Sequence, residues 1–280
     1  MPDRDSLGTR MKTYYEEVPK FRLYRRTPVA IRIDGKAFHT FTRGFKKPFD
    51  EILIKSMQQT MLYLCENIQG CVLGYTQSDE ITLILQDYKT LTTSAWFDYE
   101  IQKICSISAS MATMAFNRYF ADIVNEAYNY HTTTEDGCHR INDIKVFEQL
   151  FDNYFSKIGK AMFDARCFNI PKEEVTNLIF WRQLDAARNS VQMVGQAYFS
   201  HQELQNKSCN DIQDMLMEKY NINWNDFPTT QKRGSCCVKN IDLDEYGINW
   251  GSGWKIDNEI PQFKGEGREY IEKLIYFEEE

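Results

Sequence analysis

Between residues 29 and 170 the chain alternates extended and helical signals in an order that few folds accommodate. Residues 29–34, VAIRID, alternate as a strand does, and Pro28 marks the start. Asp50 stands where a helix N-cap belongs, and Leu53, Met57, Met61, Leu64 and Ile68 then recur on one helical face, with Gly70 as a stop. CVLGYTQ and EITLIL flank Ser78-Asp79 as the arms of a hairpin. A long segment over 94–120 reads as a largely buried helix, and residues 161–170 form a strand stopped by Pro171. With residues 121–160 set aside, the order is strand, helix, strand, strand, helix, strand. That is the α+β split-βαβ order of ferredoxin-like domains, which polymerase palms share.

Residues 121–160 interrupt this order with a polar loop, NYHTTTEDGCHRIND, and a helical stretch over 144–158. From 172 onward one or two helices are expected, with a shorter one over 209–220 and weak strand signals around 235–239 and 253–256. The reading is therefore a palm core of 1–120 and 161–170, an insertion of 121–160, and a helical, RNA-contacting C-terminal region of 171–280 packed on the palm.

Composition narrows the function. No apolar run approaches the roughly 20 residues that span a bilayer, so no membrane is expected. The eight cysteines lack CxxC spacing, which gives zinc little support. A chain rich in such thiols and without a secretory signal fits the reducing cytosol. A net charge of −7 argues against coating nucleic acid by bulk attraction. It leaves room for local basic tracks, and RLYRR at 22–26, TRGFKK at 42–47 and QKRG at 231–234 are candidates; each also reads as a solvated face.

The two strand tips carry the chemistry. In a palm-like sheet Asp34 and Asp79 converge at one edge, and with the Gly35 carbonyl they form an all-oxygen site suited to magnesium. Two such ions about 4 Å apart would clamp an attacking hydroxyl and a leaving phosphate in line. Asp-Gly and Ser-Asp are also ordinary turn pairs.

RIDGKAFHTFTRGFKKPFD followed by GYTQSDEITLIL resembles the tRNA-histidine guanylyltransferase family, which extends RNA 5′ ends in the 3′-to-5′ direction. The resemblance continues through WFDYEIQKICSISAS, FDARCFNIP and WRQLDAARNSV, over roughly residues 28–120 and 161–235. It implies a palm, two magnesium ions, and ligation by Asp34, Gly35 and Asp79. It also implies a triphosphate cradle over Asp34, Gly35, Lys36, Ala37, Phe38 and His39 with Ser78, and a Lys-Pro-x-Asp element at Lys47 and Asp50. Asp50 also reads as a plain helix cap, and His39 as a local hydrogen-bonding residue. Lys103 falls in the segment matching the family's basic helix. Glu80 is a further carboxylate that strand alternation can turn away from the metals.

Where the eukaryotic enzymes continue from Arg-Gln-x-Asp into Cys-His-Ile-Asn-Asn, this chain reads AARNSVQ, with Ala187 at the histidine position. That is similar to the bacterial-type branch, which is associated with template-dependent repair of tRNA 5′ ends. Arg182, Arg188 and Asn189 become RNA-contact candidates, with helix-surface charge as the alternative. The expected partners are tRNA, ATP, GTP and other nucleoside triphosphates, and further copies of the chain in a tetramer. The rival readings are a nucleotide cyclase-like palm enzyme and an inactive RNA-binding palm.

Overall fold

A computed structural model of the chain describes residues 6–133, 143–239 and 253–276. Its centre is a six-stranded antiparallel sheet in the order β4-β1-β3-β2-β5-β6. The strands are β1 (Val29–Gly35), β2 (Cys71–Gln77), β3 (Glu80–Leu85), β4 (Phe163–Asn169), β5 (Ser235–Lys239) and β6 (Trp254–Asp257). The first four form the ferredoxin-like palm, and the two weak C-terminal strand signals extend the same sheet beyond β2. The C-terminal region is thus not purely helical.

Alternation splits the sheet residues between two cores. Val29, Ile31, Ile33, Ile81, Leu83 and Leu85 face α1 (Glu51–Asn67) and α2 (Ile101–Thr133). Ala30, Leu73, Tyr75 and Ile84 face α4 (Lys172–Tyr198) and α6 (Glu269–Ile275). Between these, α3 (Ile144–Lys157) packs on α2, and α5 (Cys209–Tyr220) packs on the C-terminal half of α4. Gly74 has a packing reason: a Cβ there would lie 2.5 Å from Cys65 Sγ, so its absence lets α1 lie close on β2.

The second palm helix differs from its expected span. It begins only at Ile101, because residues 96–99 form a separate turn tied to the preceding chain, with Tyr99 O accepting from Leu23 N–H and Phe21 O accepting from Ile101 N–H. It then runs past residue 120 without a break. Phe116, Phe120 and Val124 prolong one apolar stripe, and nothing between 121 and 133 stops a helix. The polar loop expected at 129–143 therefore begins as helix; its 134–142 stretch lies outside the described residues. Neither is α3 an appendage, since Phe151 and Tyr154 are buried in the main core, 5 % and 1 % exposed.

Two of the three basic clusters serve the fold. Arg25 pairs with the buried Asp87, and Arg26 donates to Asp87 and to the Thr90 carbonyl. Lys232 is buried and donates to the Asn225 carbonyl. No helix among the described residues is long and apolar enough to cross a membrane.

Candidate active site

The β1–β4 and β1–β3 pairings place Asp34 opposite both Glu80 and Asp164 at the end of the sheet. Asp79 sits in the β2–β3 turn, where the chain passes through Ser78 at φ 51°, and its carbonyl accepts from Gly35 N–H at 3.1 Å. Both carboxylates are held above their ordinary range. Burial, then the Glu80 and Asp164 charges, raise the Asp34 pKa. Burial and the neighbouring Asp34 push Asp79 up to about 6, against a hydrogen bond from Ser78 Oγ at 3.0 Å. Carboxylates that repel one another in this way favour a cation between them. No three His, Cys, Asp or Glu side chains converge on one metal position among the described residues. The residues that could hold a cation here are Asp34 and Asp79 with the Gly35 carbonyl, an all-oxygen set of the kind that fits magnesium.

Gly35 owes its identity to space rather than to turning. Its φ is not positive, but a Cβ there would lie 2.3 Å from the Phe38 ring. Ala37 makes the turn instead, at φ 54° and ψ 40°, and opens the one-turn helix Phe38–Phe41. Phe38, Phe41 and Phe45 then anchor the segment in an aromatic cluster. The Phe38 ring centroid lies 5.1 Å from that of Phe163 and 5.5 Å from Phe116, and Phe45 lies 4.8 Å from Tyr154. The exposed stretch between β1 and α1 is therefore pinned from beneath.

Above it opens a cavity of about 510 Å³. Of the residues expected at a nucleotide, Gly35, Ala37, Phe38, His39, Lys47, Asp50 and Ser78 line it, together with Asp79. Asp34 and Lys36 do not. Asp34 lies on the α4 side of the sheet, and the Lys36 N–H is held by the Met162 carbonyl at 2.9 Å. Lys103 is at the wrong end. Cys105, two residues on, touches Cys167, which pairs with Ile31, whereas Thr113 and Asn117 are the α2 residues that reach the site end. The Lys103 ammonium instead lies 5.1 Å from the Phe97 ring centroid.

Asp50 is both cap and cavity wall. Its Oδ1 accepts from Leu53 N–H at 3.0 Å; its Oδ2 accepts from Lys46 N–H at 2.9 Å and from Tyr154 OH at 2.6 Å. Lys46, Met193 and Gln196 at this cavity, and Tyr154 behind Asp50, are not among the site residues expected from the sequence. The amphipathic pattern of α3 predicts a buried stripe but not which hydroxyl on it finds a carboxylate.

Glu80 does turn to other work. One of its oxygens accepts from Arg32, the other from Arg182 and from Gln77 Nε2. Arg182 is 7 % exposed and also donates to Asp185 at 3.0 Å, so it is neither an RNA-facing charge nor helix-surface charge. Arg188 is exposed, paired with Asp185. Asn189 lines a crevice of about 70 Å³ that shares Asp50 and Ser78 with the main cavity.

The sequence profile described as tRNAHis guanylyltransferase matches residues 8–171, more than half of the chain. The chain belongs to the tRNA-histidine guanylyltransferase family. It is a nucleotidyltransferase. Among solved structures it is similar to a bacterial tRNA(His) guanylyltransferase-like protein in complex with ATP. The two share 40 % identity over 97 % of this chain and 100 % of the other, with a TM-score of 0.77. A bacterial tRNA(His) guanylyltransferase-like protein in complex with GTP matches at 36 % identity, over 98 % of this chain and all of the other, with a TM-score of 0.70. The tRNA(His) guanylyltransferase of Saccharomyces cerevisiae is 25 % identical over 229 residues, covering 77 % of this chain and 84 % of that one.

Proposed function

We propose that this family member is a template-dependent 3′-to-5′ nucleotidyltransferase that repairs the 5′ end of tRNA, using ATP, GTP and two magnesium ions. The observation that carries the reading is Asp79 at the wall of a cavity that also holds Lys46 and Lys47, with the Asp34 charge close enough to raise it and the Gly35 N–H bonded to its carbonyl. The bacterial relatives solved with ATP and with GTP support a nucleoside triphosphate as occupant. Asp34, Asp79 and the Gly35 carbonyl would hold the metal, which lowers the cost of bringing phosphate oxygens to two carboxylates and stabilises charge on them.

The protein's own residues position and neutralise. Lys46 and Lys47 face the triphosphate, and the pinned Ala37–His39 segment presents its backbone to phosphate oxygens. On a 5′-monophosphate RNA, the terminal phosphate oxygen attacks the α-phosphorus of ATP and pyrophosphate leaves. The 3′-hydroxyl of the incoming nucleotide then attacks the activated 5′-phosphate, and AMP leaves. A 5′-triphosphate end needs no activation and loses pyrophosphate directly. No covalent enzyme intermediate is required. Arg188 and Asn189 contact the RNA, and the chain works as a homo-oligomer, with a tetramer as the expected state.

Selection of the base falls to Watson–Crick pairing with the template strand, because Ala187 replaces the histidine of the eukaryotic motif. The test is incubation with tRNAs lacking their first nucleotide, ATP and each nucleoside triphosphate in turn, scored for 5′ growth. Several tRNA species should be refilled with the base complementary to the acceptor partner, faster than an unpaired G is added to full-length tRNA-His. G addition to tRNA-His whatever base lies opposite would overturn the repair role. Cyclic nucleotide formed without RNA would favour the cyclase alternative.

A further inference from the structure

The sheet face that carries Asp34 is only partly covered. Helix α4 shields β2, β3 and β5, but on the same face of β4 the side chains of Asp164 and Arg166 stay about 60 % exposed. Over the boundary of this open area stands Trp181, on the first half of α4, 53 % exposed. A half-exposed tryptophan by itself needs no explanation. This one is held in place from behind.

Two guanidinium groups pack against its indole, Arg182 at 4.5 Å and Arg32 at 5.4 Å from the ring centroid. Each is locked by Glu80, one on either carboxylate oxygen, and both are largely buried, with side chains 8 % and 18 % exposed. The Nε of each arginine has no hydrogen-bond partner, so Arg32 is oriented by Glu80 and the ring, and Arg182 by Glu80, the ring and Asp185. Glu80, Arg32 and Arg182 together make a fixed bed for an aromatic side chain whose outer part meets solvent. The bed lies beside the metal carboxylates. Arg32 precedes Asp34 by two residues on one strand, so they share a face about 7 Å apart, the span of one nucleotide step. Along α4, Leu184 and Arg188 continue the exposed stripe from Trp181 at helical spacing.

We propose that Trp181 is the stacking shelf for the terminal base at the RNA 5′ end, placing the 5′-phosphate within one nucleotide of Asp34. Aromatic rings backed by arginine take bases of any identity, because every base offers a π-face. Such a shelf suits an enzyme that leaves base choice to pairing. The inference rests on the RNA-extension reading above and adds the residue that touches the RNA end. It also gives Glu80 a role, as the residue that positions the shelf rather than a metal.

The test uses the full-length protein and a truncated tRNA carrying 2-aminopurine as its 5′-terminal base. Binding to the unaltered protein should quench the fluorophore. W181A should lose the quench and weaken RNA binding on the order of tenfold or more, with ATP affinity unchanged; W181F, which keeps a ring, should retain most of both. A tRNA with an abasic 5′ terminus should bind the unaltered protein as weakly as W181A binds intact tRNA. W181A should lose little more on that RNA. The abasic arm needs no variant to fold. Unchanged quench and affinity in W181A, or an abasic end bound as tightly as an intact one, overturns the shelf. Loss of oligomer without loss of quench makes Trp181 a subunit contact and overturns it too. If the unaltered protein extends no RNA, the proposed function fails; if it extends RNA and W181A does so equally well, only the shelf fails.

Discussion

The Tyr154 hydroxyl donates to Asp50 Oδ2 at 2.6 Å, joining a helix from between the second palm helix and β4 to the residue that caps α1 and walls the main cavity. Replacing Tyr154 with Phe removes one of three donors to a buried carboxylate and leaves the ring in the aromatic cluster. The expected cost is about 1.5–3 kcal/mol, read as a lower Tm, with a several-fold weaker ATP affinity by titration. An unchanged affinity would detach Asp50 from nucleotide binding.

The paired carboxylates set the second expectation. Asp34→Asn and Asp79→Asn should each lower nucleotide addition by on the order of a hundredfold or more, the several kcal/mol that a metal clamp supplies. RNA affinity, which comes from phosphate contacts elsewhere, should stay within about threefold. Chelation of divalent cations should reproduce the loss in the unaltered protein. Single-turnover assays beside filter binding separate the two effects.

Asp79 makes stability depend on pH in an unusual direction. The unfolded carboxyl titrates near 3.8, whereas the folded one is pushed up to about 6, mainly by burial. Protonation therefore favours the folded state. The contribution is fully present below the unfolded value and is lost as the pH rises through about 6. In chelator, Asp79→Asn, neutral throughout, should melt above the unaltered protein at pH 7.5 by about 2–4 °C per kcal/mol of a penalty on the order of 3 kcal/mol. The gap should narrow as the pH falls below about 6 and close near the unfolded value of 3.8, and magnesium should close it at pH 7.5.

Gly35→Ala should fail for a steric reason. A methyl group 2.3 Å from the Phe38 ring must push that ring out of its contacts with Phe116 and Phe163. Overpacking of this kind costs about 1–3 kcal/mol. The cavity-lining segment that Phe38 anchors should loosen with it, giving faster amide exchange over residues 36–41. A native melting temperature with native ATP affinity would show that the segment tolerates the shift.

Arg182 and Arg188 should separate cleanly. Arg182→Ala leaves Glu80 with one fewer partner in a buried network, at a cost of about 3–5 kcal/mol, visible in denaturant unfolding. Arg188, exposed beside Asp185, should be nearly neutral for stability when replaced by Ala. Its loss should reduce the salt slope of RNA binding by about one. No change in that slope would return Arg188 to ordinary helix surface.

The palm order was legible because its signals are local. Strand alternation, the Asp50 cap and the hairpin across Ser78-Asp79 each depend on residues a few positions apart, and all reappear in the structure. What escaped depends on distant residues meeting. Arg182 reads as a surface charge until β3 brings Glu80 beneath it, and Lys103 reads as a site residue until the direction of α2 puts it at the far end of the sheet. The same holds for β5 and β6, whose patterns are weak alone and which are strands because β2 offers them an edge.

Helix α2 gives the site a fixed ruler. At mid-length, Thr113 and Asn117 clamp the backbone leading into β4, which faces Asp34. Further along, Tyr128 stacks on Phe147 and meets Phe151 edge-on, both of α3, the helix that delivers Tyr154 to Asp50. One 33-residue rod therefore spaces the sheet edge that carries Asp34 and the cavity wall, with no loop between the two measurements. A smaller version of this catalyst cannot be made by trimming the helical arm down to the palm. Any shortening has to keep Phe151 and Tyr154, or provide another keystone for Asp50.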